Sequence, residues 1–248
     1  DGRLLAPDIA RIVSKGELVV AMLKTDTPPF FSFNAKGQWV GLEVDLAESI
    51  AKELGVKVRI NRDAGTFNEV VDILARGDAD LAISKLSRTL ARTQTIAFSN
   101  PYLTLNHALL LNRIKFAKIA KGRALPEVIR SFDGTIGVIA KSSFAYYAKH
   151  NFPKAQIEEL PTWNSVLVAL QKGEITAAYR DEFEIKSVLN SDPTMSLVLR
   201  TVTLKDLEDT LGVGVSVTSP RLLAFVNEFL SQRTEKLDIN KVLQALER

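Results

Sequence analysis

The sequence predicts an α/β fold with two Rossmann-like lobes joined by a hinge. Short apolar runs rich in β-branched residues alternate with segments whose apolar residues recur at helical spacing, and this βαβ rhythm occurs in both halves of the chain. The 248 residues, 46% hydrophobic and 25% charged, have the composition of an ordinary globular protein. Intrinsic disorder, a collagen helix and a coiled coil are therefore disfavoured.

The first lobe is predicted to alternate strand and helix, beginning and ending with a strand. An apolar run at 18–22 indicates the first strand. Apolar residues at helical spacing over 42–54, followed by Gly55, indicate a helix that ends at a glycine. The remaining elements are a strand at 56–60, a helix at 67–74 and a buried strand at 80–84.

The second lobe repeats this pattern. Strands are predicted at 135–139, 156–160 and 175–179, and helices at 143–150, 164–171 and 182–189. The chain is expected to cross between lobes along 103–111, to return along 204–217, and to end in a helix at 220–230 that packs on the first lobe. Lobe 1 is thus predicted as 1–107 with 212–248, and lobe 2 as 108–211, with hinge crossings near 104–111 and 203–214.

Composition and motifs exclude several classes of function. Cysteine is absent, which removes thiol catalysis, disulfides and thiolate zinc sites. The two histidines, His107 and His150, lack partners at metal-ligand spacing, and neither a Walker loop nor a nucleophile elbow occurs. The net charge of +3 comes from interleaved acids and bases, which is typical of a solvated surface. We therefore expect no cofactor, no metal, no nucleic-acid partner and no catalytic residue.

The sequence contains no predicted membrane span. No apolar run approaches the ~18 residues that a transmembrane helix needs. The sequence begins at Asp1 rather than Met, so we expect that a targeting segment has been removed or lies outside this sequence.

Polar side chains collect where the predicted strands end. Ligands of open parallel sheets bind beyond the carboxyl ends of the strands, and four such loops, at 24–30, 85–92, 140–144 and 180–182, offer hydroxyls, cations, a carboxylate and aromatic faces. Backbone N–H groups at the predicted helix start near Ser142 and Ser143 also suit an anion. A ligand with a carboxylate and an ammonium would complement this set.

The same residues have ordinary structural interpretations. Asp181 is well placed to cap the helix that follows it, and serines at helix starts are common caps or turn formers. Phe67 opens an apolar helix, where an aromatic side chain usually belongs to the core. It is the joint placement at four strand ends that favours a binding site.

Several short motifs occur in order along nearly the whole chain. They are G-E-L-V-V at 16–20, P-P-F at 28–30, G-L-E-V-D-L-A at 41–47, G-D-A-D at 77–80, I-A-F-S-N-P-Y at 96–102, and G-E-I-T-A-A at 173–178 with Asp181. In this order they resemble the periplasmic amino-acid-binding proteins of bacterial ABC importers, extracellular solute-binding protein family 3.

The resemblance has implications for fold and function. It implies a fold like that of type II periplasmic binding proteins, with a small amino acid bound in the cleft between the lobes. It also implies a monomer that delivers this ligand to a membrane permease. The location would be periplasmic or extracellular, and a lipid-anchored or membrane-anchored form stays open.

The resemblance also assigns roles to individual residues. Arg92 takes the place of the arginine that clamps the ligand α-carboxylate, with Ser87 adding a hydrogen bond, and Asp181 takes the place of the acid that accepts the α-ammonium. Ser143, beside Ser142, would hold the carboxylate from the opposite lobe. Phe67 and Thr27 would flank the ligand side chain, and Ser84, Lys85 and Lys24 would approach its far end.

The sequence departs from the family pattern near the expected ligand. The segment T-L-A-R at 89–92 keeps only the ends of the usual T-P-E-R, and Thr27 stands where an aromatic residue commonly precedes P-P-F. Lys24 stands where relatives that bind basic amino acids can carry an acid. Further positive charges follow the same strands, namely Lys85, Arg88, Lys141 and Arg180. This charge favours an acidic or polar amino acid as the ligand.

Three other functions stay open at this point. The same fold serves as the extracellular sensing domain of receptors. It also serves cyclohexadienyl and arogenate dehydratases, which need a general acid, for which Glu182 and Glu184 are the candidates. The third alternative, a nucleic-acid binder, would show a steep salt dependence of binding.

Overall fold

The chain forms two compact α/β units. The computed structural model describes residues 4–234 and 236–246. The first unit runs to Thr104 and resumes at Thr210, and the second comprises Leu105–Asp209. Both units have the mixed strand and helix content that the sequence predicts.

The first unit consists of a sheet with helices packed on it. Its elements are α1 (Pro7–Lys15), β1 (Glu17–Leu23), the short hairpin β2 (Ser32–Phe33) and β3 (Trp39–Val40), α2 (Leu42–Leu54), β4 (Lys57–Ala64), α3 (Phe67–Ala75), β5 (Leu81–Ala82), α9 (Pro220–Gln232) and α10 (Ile239–Leu246); β6 (Ala97–Asn112) leaves the unit and β10 (Leu199–Val215) re-enters it. The strand order in this unit is β4-β1-β5-β10. β1 runs parallel to β4 and β5, whereas β10 is antiparallel to β5.

Helix α2 begins against the backbone of a turn, which requires a glycine. The N–H groups of Leu42 and Glu43 donate to the carbonyls of Pro29 and Phe30, both at 2.9 Å. Gly41, which precedes them, has φ 129°, and a Cβ there would lie 2.3 Å from the Phe30 carbonyl oxygen. The close contact between helix and turn therefore fixes where α2 starts.

The second unit repeats the layered arrangement. Its elements are α4 (Arg113–Ala120), α5 (Leu125–Arg130), β7 (Thr135–Ile139), α6 (Ser143–Asn151), β8 (Gln156–Leu160), α7 (Trp163–Lys172), β9 (Ala177–Asp181) and α8 (Glu182–Ser191). The strand order is β6-β9-β7-β8, with β7 parallel to both β8 and β9. Successive residues of β6 point to opposite sides: Leu109 packs with Phe116 and Phe144, and Leu110 packs with Val166 and Ile185.

Several elements differ from the prediction. The strand expected at 80–84 is only Leu81–Ala82, because the chain turns at Lys85, where φ is 50°. The strand expected at 175–179 is Ala177–Asp181, since β6 pairs with it as far as Asp181. The hairpin and the helices α1, α4, α5 and α10 were not predicted. Among the described residues, none of the helices has the length and apolar character needed to cross a membrane.

Candidate functional site

The parallel strands of the first unit end at one edge of their sheet. β1 ends at Leu23 and is joined to the loop after β5, since the Leu23 N–H donates to the hydroxyl of Ser84 at 2.8 Å. It is joined to the end of β4 as well, because the Lys24 N–H donates to the carbonyl of Ala64 at 2.8 Å. The structure thus brings three loops together, and these loops carry the predicted residues Lys24, Thr27, Phe67, Ser84, Lys85 and Ser87.

Arg92 is a buried cation at this edge. It begins a 3-10 turn, Arg92–Gln94, and is 6% exposed. Its Nη1 donates to the carbonyl of Ser87 at 3.0 Å and its Nη2 to Oδ1 of Asn68 at 3.2 Å, while its backbone N–H is held by Oγ1 of Thr89. Because these contacts come from the loop after β5 and from helix α3, the planar guanidinium is fixed in orientation.

Ser84 and Lys85 form the turn that leads to Arg92. Ser84 is fully buried, and its hydroxyl accepts the hydrogen bond from Leu23. Lys85 adopts the left-handed conformation, and its N–H donates to Oε1 of Glu43 at 2.7 Å. Its Nζ lies 5.0 Å from the ring centroid of Phe30, a cation–π contact.

Thr27, Lys24 and Phe67 are less enclosed. Thr27 is half-buried in a turn in which its N–H donates to the carbonyl of Phe31 and its carbonyl accepts from Phe30, both at 2.9 Å. The Lys24 side chain is exposed. Phe67 is half-buried at the first position of α3, which is capped by Thr66.

Asp181 of the second unit is a buried carboxylate at the end of β9. It is 2% exposed and is the N-cap of α8, where Oδ1 accepts the Glu184 N–H at 3.1 Å. The capping interpretation of Asp181 is thereby confirmed. The same cap fixes the carboxylate at the carboxyl edge of the sheet.

Ser142 and Ser143 follow the neighbouring parallel strand, β7. Ser142 caps α6, since its hydroxyl donates to the carbonyl of Ile139 at 2.6 Å and accepts the Ala145 N–H at 3.3 Å. Ser143 is the first residue of the helix and is 8% exposed. β7 and β9 are parallel neighbours, so this helix start lies at the same edge as Asp181.

His107 lies beside Asp181 and is neutral at physiological pH. The two residues face each other across β6 and β9. Burial lowers the pKa of His107 to about 4, although the Asp181 carboxylate and the backbone of Glu208 oppose this shift. The His107 Nδ1 is hydrogen-bonded to the hydroxyl of Tyr179. His107 is therefore a structural core residue.

Of the positive charges near these strand ends, the buried Arg180 is already paired within its own unit. Arg180 lies 3.3 Å from Oε1 of Glu184 and 3.9 Å from Oδ2 of Asp181, and its guanidinium stacks 5.1 Å from the Trp163 ring centroid. Arg88 and Lys141 are exposed. The expectation that a cationic pocket selects an acidic ligand is therefore not supported, because the buried Arg180 is neutralised within its own unit.

The two glutamates considered as general acids are held as anions or ion pairs. Burial alone would raise the pKa of Glu182, but Lys186 and Asn106 bind its carboxylate and lower it overall. The distances are 2.7 Å from Lys186 Nζ to Oε2, and 2.9 and 2.8 Å from the backbone and side-chain nitrogens of Asn106 to Oε1. An acid that must donate a proton needs the opposite shift.

Sequence reasoning missed three residues at the edge of the first sheet. They are Asn68, which holds Arg92, the buried Glu43, which holds Lys85, and Arg62, which donates to Oδ1 of Asp26 at 2.8 Å and stacks on Trp39. Glu43 could have been recognised, because a charged residue on the apolar face of a helix is unusual. Among the residues that the structure describes, no group of three His, Asp or Glu side chains is arranged to hold a metal ion.

Comparison with protein families gives one match that covers most of the chain. Residues 18–245 match the model of the bacterial extracellular solute-binding proteins, family 3. The lysine/arginine/ornithine-binding periplasmic protein of Escherichia coli K12 is 29% identical over 217 residues, which are 84% of this chain and 80% of that protein.

Solved structures agree over nearly the full length. An ancestral amino-acid-binding protein, described as a precursor of cyclohexadienyl dehydratase, is 25% identical with a TM-score of 0.76 over 98% of this chain and 100% of its own. An amino acid ABC transporter substrate-binding protein from Streptococcus pneumoniae, bound to L-arginine, is 26% identical with a TM-score of 0.75, covering 96% of this chain and 97% of its own.

Proposed function

Because the chain belongs to family 3 of the bacterial extracellular solute-binding proteins, we propose that it binds a free amino acid through residues of both units. Arg92 and Ser87 of the first unit bind the α-carboxylate, and Asp181 of the second binds the α-ammonium. Ser142 and Ser143 add helix N-terminal donors for the carboxylate. Phe67, Thr27, Ser84, Lys85 and Lys24 lie on the loops around the ligand side chain.

The observation that carries this proposal is the buried guanidinium of Arg92. A planar fork held by Ser87 and Asn68 at a strand-end loop suits bidentate binding of a carboxylate. Each charge-assisted hydrogen bond contributes on the order of 1.5–3 kcal/mol. Two such bonds and an ion pair at the ammonium supply much of the roughly 8 kcal/mol that micromolar affinity needs.

We assign the ligand to the cationic amino acids, such as arginine, lysine or histidine. One relative is named as a lysine/arginine/ornithine-binding protein, and one solved relative holds L-arginine. Arg180 does not oppose such a ligand, because Glu184 and Asp181 neutralise it. The exposed Lys24 stands where an acid would help, so we expect the selectivity for cations to be modest.

We propose that the protein takes part in amino-acid import and is located outside the cytoplasm. It is a monomer that delivers its ligand to the permease of an ABC importer, as the family resemblance implies. Binding rather than turnover is its activity, since Glu182 is an ionised carboxylate held by Lys186 and Asn106. A prephenate assay that detected phenylpyruvate would contradict this part of the proposal.

Calorimetry on Arg92 variants tests the proposal. We expect Arg92→Ala to weaken L-arginine binding by at least about 100-fold, because two charge-assisted bonds are lost, and Arg92→Lys to recover only part of the loss. Arg76→Ala, which removes an exposed arginine of the same unit, is the control and should bind normally. Unchanged affinity in a folded Arg92→Ala protein would refute the site.

Lys24 variants test the ligand class. We expect Lys24→Asp to raise the affinity for L-arginine several-fold and to lower the affinity for L-glutamate, because the charge at this position changes sign. Competition between L-arginine, L-lysine, L-histidine, L-glutamine and L-glutamate on the wild-type protein gives the baseline. Preferential binding of L-glutamate by the wild type would refute the cationic assignment while leaving amino-acid binding intact.

A further inference from the structure

Glu43 is a buried carboxylate that no step of the proposed ligand binding uses. It is 0% exposed in the first turn of α2. Its Oε1 accepts the backbone N–H of Lys85 at 2.7 Å and a hydrogen bond from the hydroxyl of Tyr102. Among the residues that the structure describes, none donates to Oε2. An enclosed acid with one unsatisfied oxygen is costly to keep unless its bonds matter elsewhere.

The bond from Lys85 supports a strained turn. A residue other than glycine at φ 50° is disfavoured by about 1 kcal/mol or more. Two residues further along, Ser87 forms a β-bridge with Leu211, and the backbone N–H of Arg88 donates to the carbonyl of Thr210 at 2.9 Å. The turn therefore sets the start of the loop whose far end positions Arg92.

The bond from Tyr102 connects Glu43 to a second segment. Tyr102 lies on β6, two residues before Thr104, where the first unit ends along the chain. Glu43 thus joins α2, the loop after β5 and the exit strand of the first unit. A single carboxylate holds three segments that are far apart in sequence.

Burial raises the pKa of Glu43 to about 7, although Tyr102 and Lys85 oppose the shift. The titratable groups that face it are the phenol of Tyr102 from β6 and the ammonium of Lys85 from the loop after β5. The nearest acid on its own helix, Asp45, is paired electrostatically with Arg233. A proton on Glu43 would remove the charge that strengthens both hydrogen bonds.

We propose that Glu43 is a positioning residue for amino-acid binding, whose carboxylate holds the loop carrying Ser87 and Arg92, and whose protonation loosens that loop and weakens binding. The inference rests on the proposed function for its binding readout. When Glu43 is neutral, the positive charge of Lys85 is no longer compensated. Lys85 then repels a cationic ligand more strongly, which also weakens binding.

The binding test is calorimetry with L-arginine from pH 5.5 to 8.5. We expect wild-type affinity to fall several-fold towards acid pH, whereas Glu43→Gln, which mimics the protonated acid, binds weakly at every pH. Tyr102→Phe removes a bond that favours the anion, so the midpoint should move to higher pH. Glu48→Gln, an exposed residue of the same helix, should follow the wild type. If the role of Glu43 were purely structural, Tyr102→Phe would not shift the pH midpoint of binding.

Hydrogen exchange of the free protein gives a readout that needs no ligand. At pH 8.5 the amides of the 84–92 loop should exchange faster in Glu43→Gln than in the wild type, and at pH 5.5 the two should agree. Two results would overturn the inference and leave the proposed function intact. One is equal exchange in Glu43→Gln and wild type at both pH values. The other is a wild-type affinity that changes with pH only as much as that of Glu43→Gln. If wild type bound no L-arginine, the ligand assignment would fail, and the exchange comparison would still decide the role of Glu43. If Glu43→Gln did not fold, an unshifted midpoint in Tyr102→Phe would overturn the inference.

Discussion

Two buried glutamates in this protein show how partners, rather than burial, decide the charge of a side chain. Glu43 and Glu182 are 0% and 4% exposed. The pKa of Glu43 is raised by burial, whereas Lys186 and Asn106 reverse the effect of burial at Glu182 and lower its pKa. At Glu182 the ammonium of Lys186 at 2.7 Å and the two donors of Asn106 together outweigh desolvation, whereas at Glu43 the two hydrogen bonds and the charge of Lys85 do not.

The raised pKa of Glu43 predicts a pH dependence of stability. The ordinary pKa is 4.5 and that of the folded protein is about 7, so the folded state holds an extra proton between these values. This contribution to stability is present below pH 4.5 and is lost as the pH rises through 7. The contribution of Glu43 to stability is at most about 3 kcal/mol, because a shift of one pKa unit corresponds to ~1.4 kcal/mol.

Urea denaturation of wild type and Glu43→Gln at pH 5 and pH 8 measures this effect. We expect the free energy of unfolding of wild type to fall relative to the variant as the pH rises. A constant difference between the two proteins would mean that Glu43 does not titrate in this range.

His107 predicts the opposite behaviour at lower pH. Its pKa is about 4 in the folded protein against an ordinary 6.5, so its contribution to stability is present above pH 6.5 and is lost as the pH falls through 4. Between pH 7 and pH 4 the free energy of unfolding of wild type should therefore fall. We expect that of His107→Asn to fall by less, the difference being up to about 3 kcal/mol. His150→Asn, at an exposed position in α6, is the control and should keep the wild-type acid response.

The sequence could place Arg92 and Asp181 near strand ends, but it could not give the residues that contact them. The rule that ligands bind at strand ends led to Arg92 and Asp181, since both follow apolar runs. Asn68 is an ordinary polar residue on α3, and its contact with Arg92 depends on how that helix meets the loop after β5. Glu43 shares a helix face with Leu46, Ala47 and Ile50, and this spacing is the signal from which its burial could have been predicted.

At the scale of elements, the start of α2 shows how a helix and a turn depend on one backbone position. We expect Gly41→Ala to destabilise the protein by several kcal/mol, because a Cβ would meet the Phe30 carbonyl at 2.3 Å. Gly37→Ala is the matched comparison, since Gly37 also has positive φ but open space around it, and should cost only about 1 kcal/mol. Thermal unfolding of the two variants checks the difference, and equal losses would contradict it.

The predicted end of a helix was most accurate where a glycine follows the regular spacing of apolar residues. The helix at 42–54 and the strands at 135–139 and 156–160 coincide with the structure, and Gly55 ends the helix with φ 72° as expected. The strand near 177–181 was misplaced, because Ile175 and Thr176 before it lie in a bend, where the Thr176 N–H donates to the carbonyl of Thr135. The ends of such a strand depend on its pairing with strands that are distant in sequence. The spacing of apolar residues gives no information on that pairing.

At the scale of the whole molecule, each unit has its own hydrophobic layers. In the second unit, the two sides of the sheet bury separate clusters around Phe132 and Leu170. The alternation of strands and helices predicted two α/β lobes, and the bounds of those lobes stay a prediction. The family match over residues 18–245 extends across both units.

Ligand binding should therefore raise the thermal stability of the whole chain. A ligand present at 100 times its Kd contributes about 2.7 kcal/mol, which corresponds to a rise in Tm of roughly 5–10 °C for a protein of this size. Differential scanning fluorimetry with L-arginine should show this shift in wild type and Arg76→Ala, and a shift of no more than about 1–2 °C in Arg92→Ala, whose binding is at least about 100-fold weaker. An equal shift in Arg92→Ala would place the ligand elsewhere.

The turn at Thr27 has a practical consequence for protein engineering. Main-chain hydrogen bonds to Phe30 and Phe31 close this turn, and Gly41 packs beneath it. The side chains at positions 24 and 27 are not part of that scaffold, so a library randomised at both positions should keep the fold. Under the proposed function, such a library would alter which metabolite a biosensor built on this protein detects.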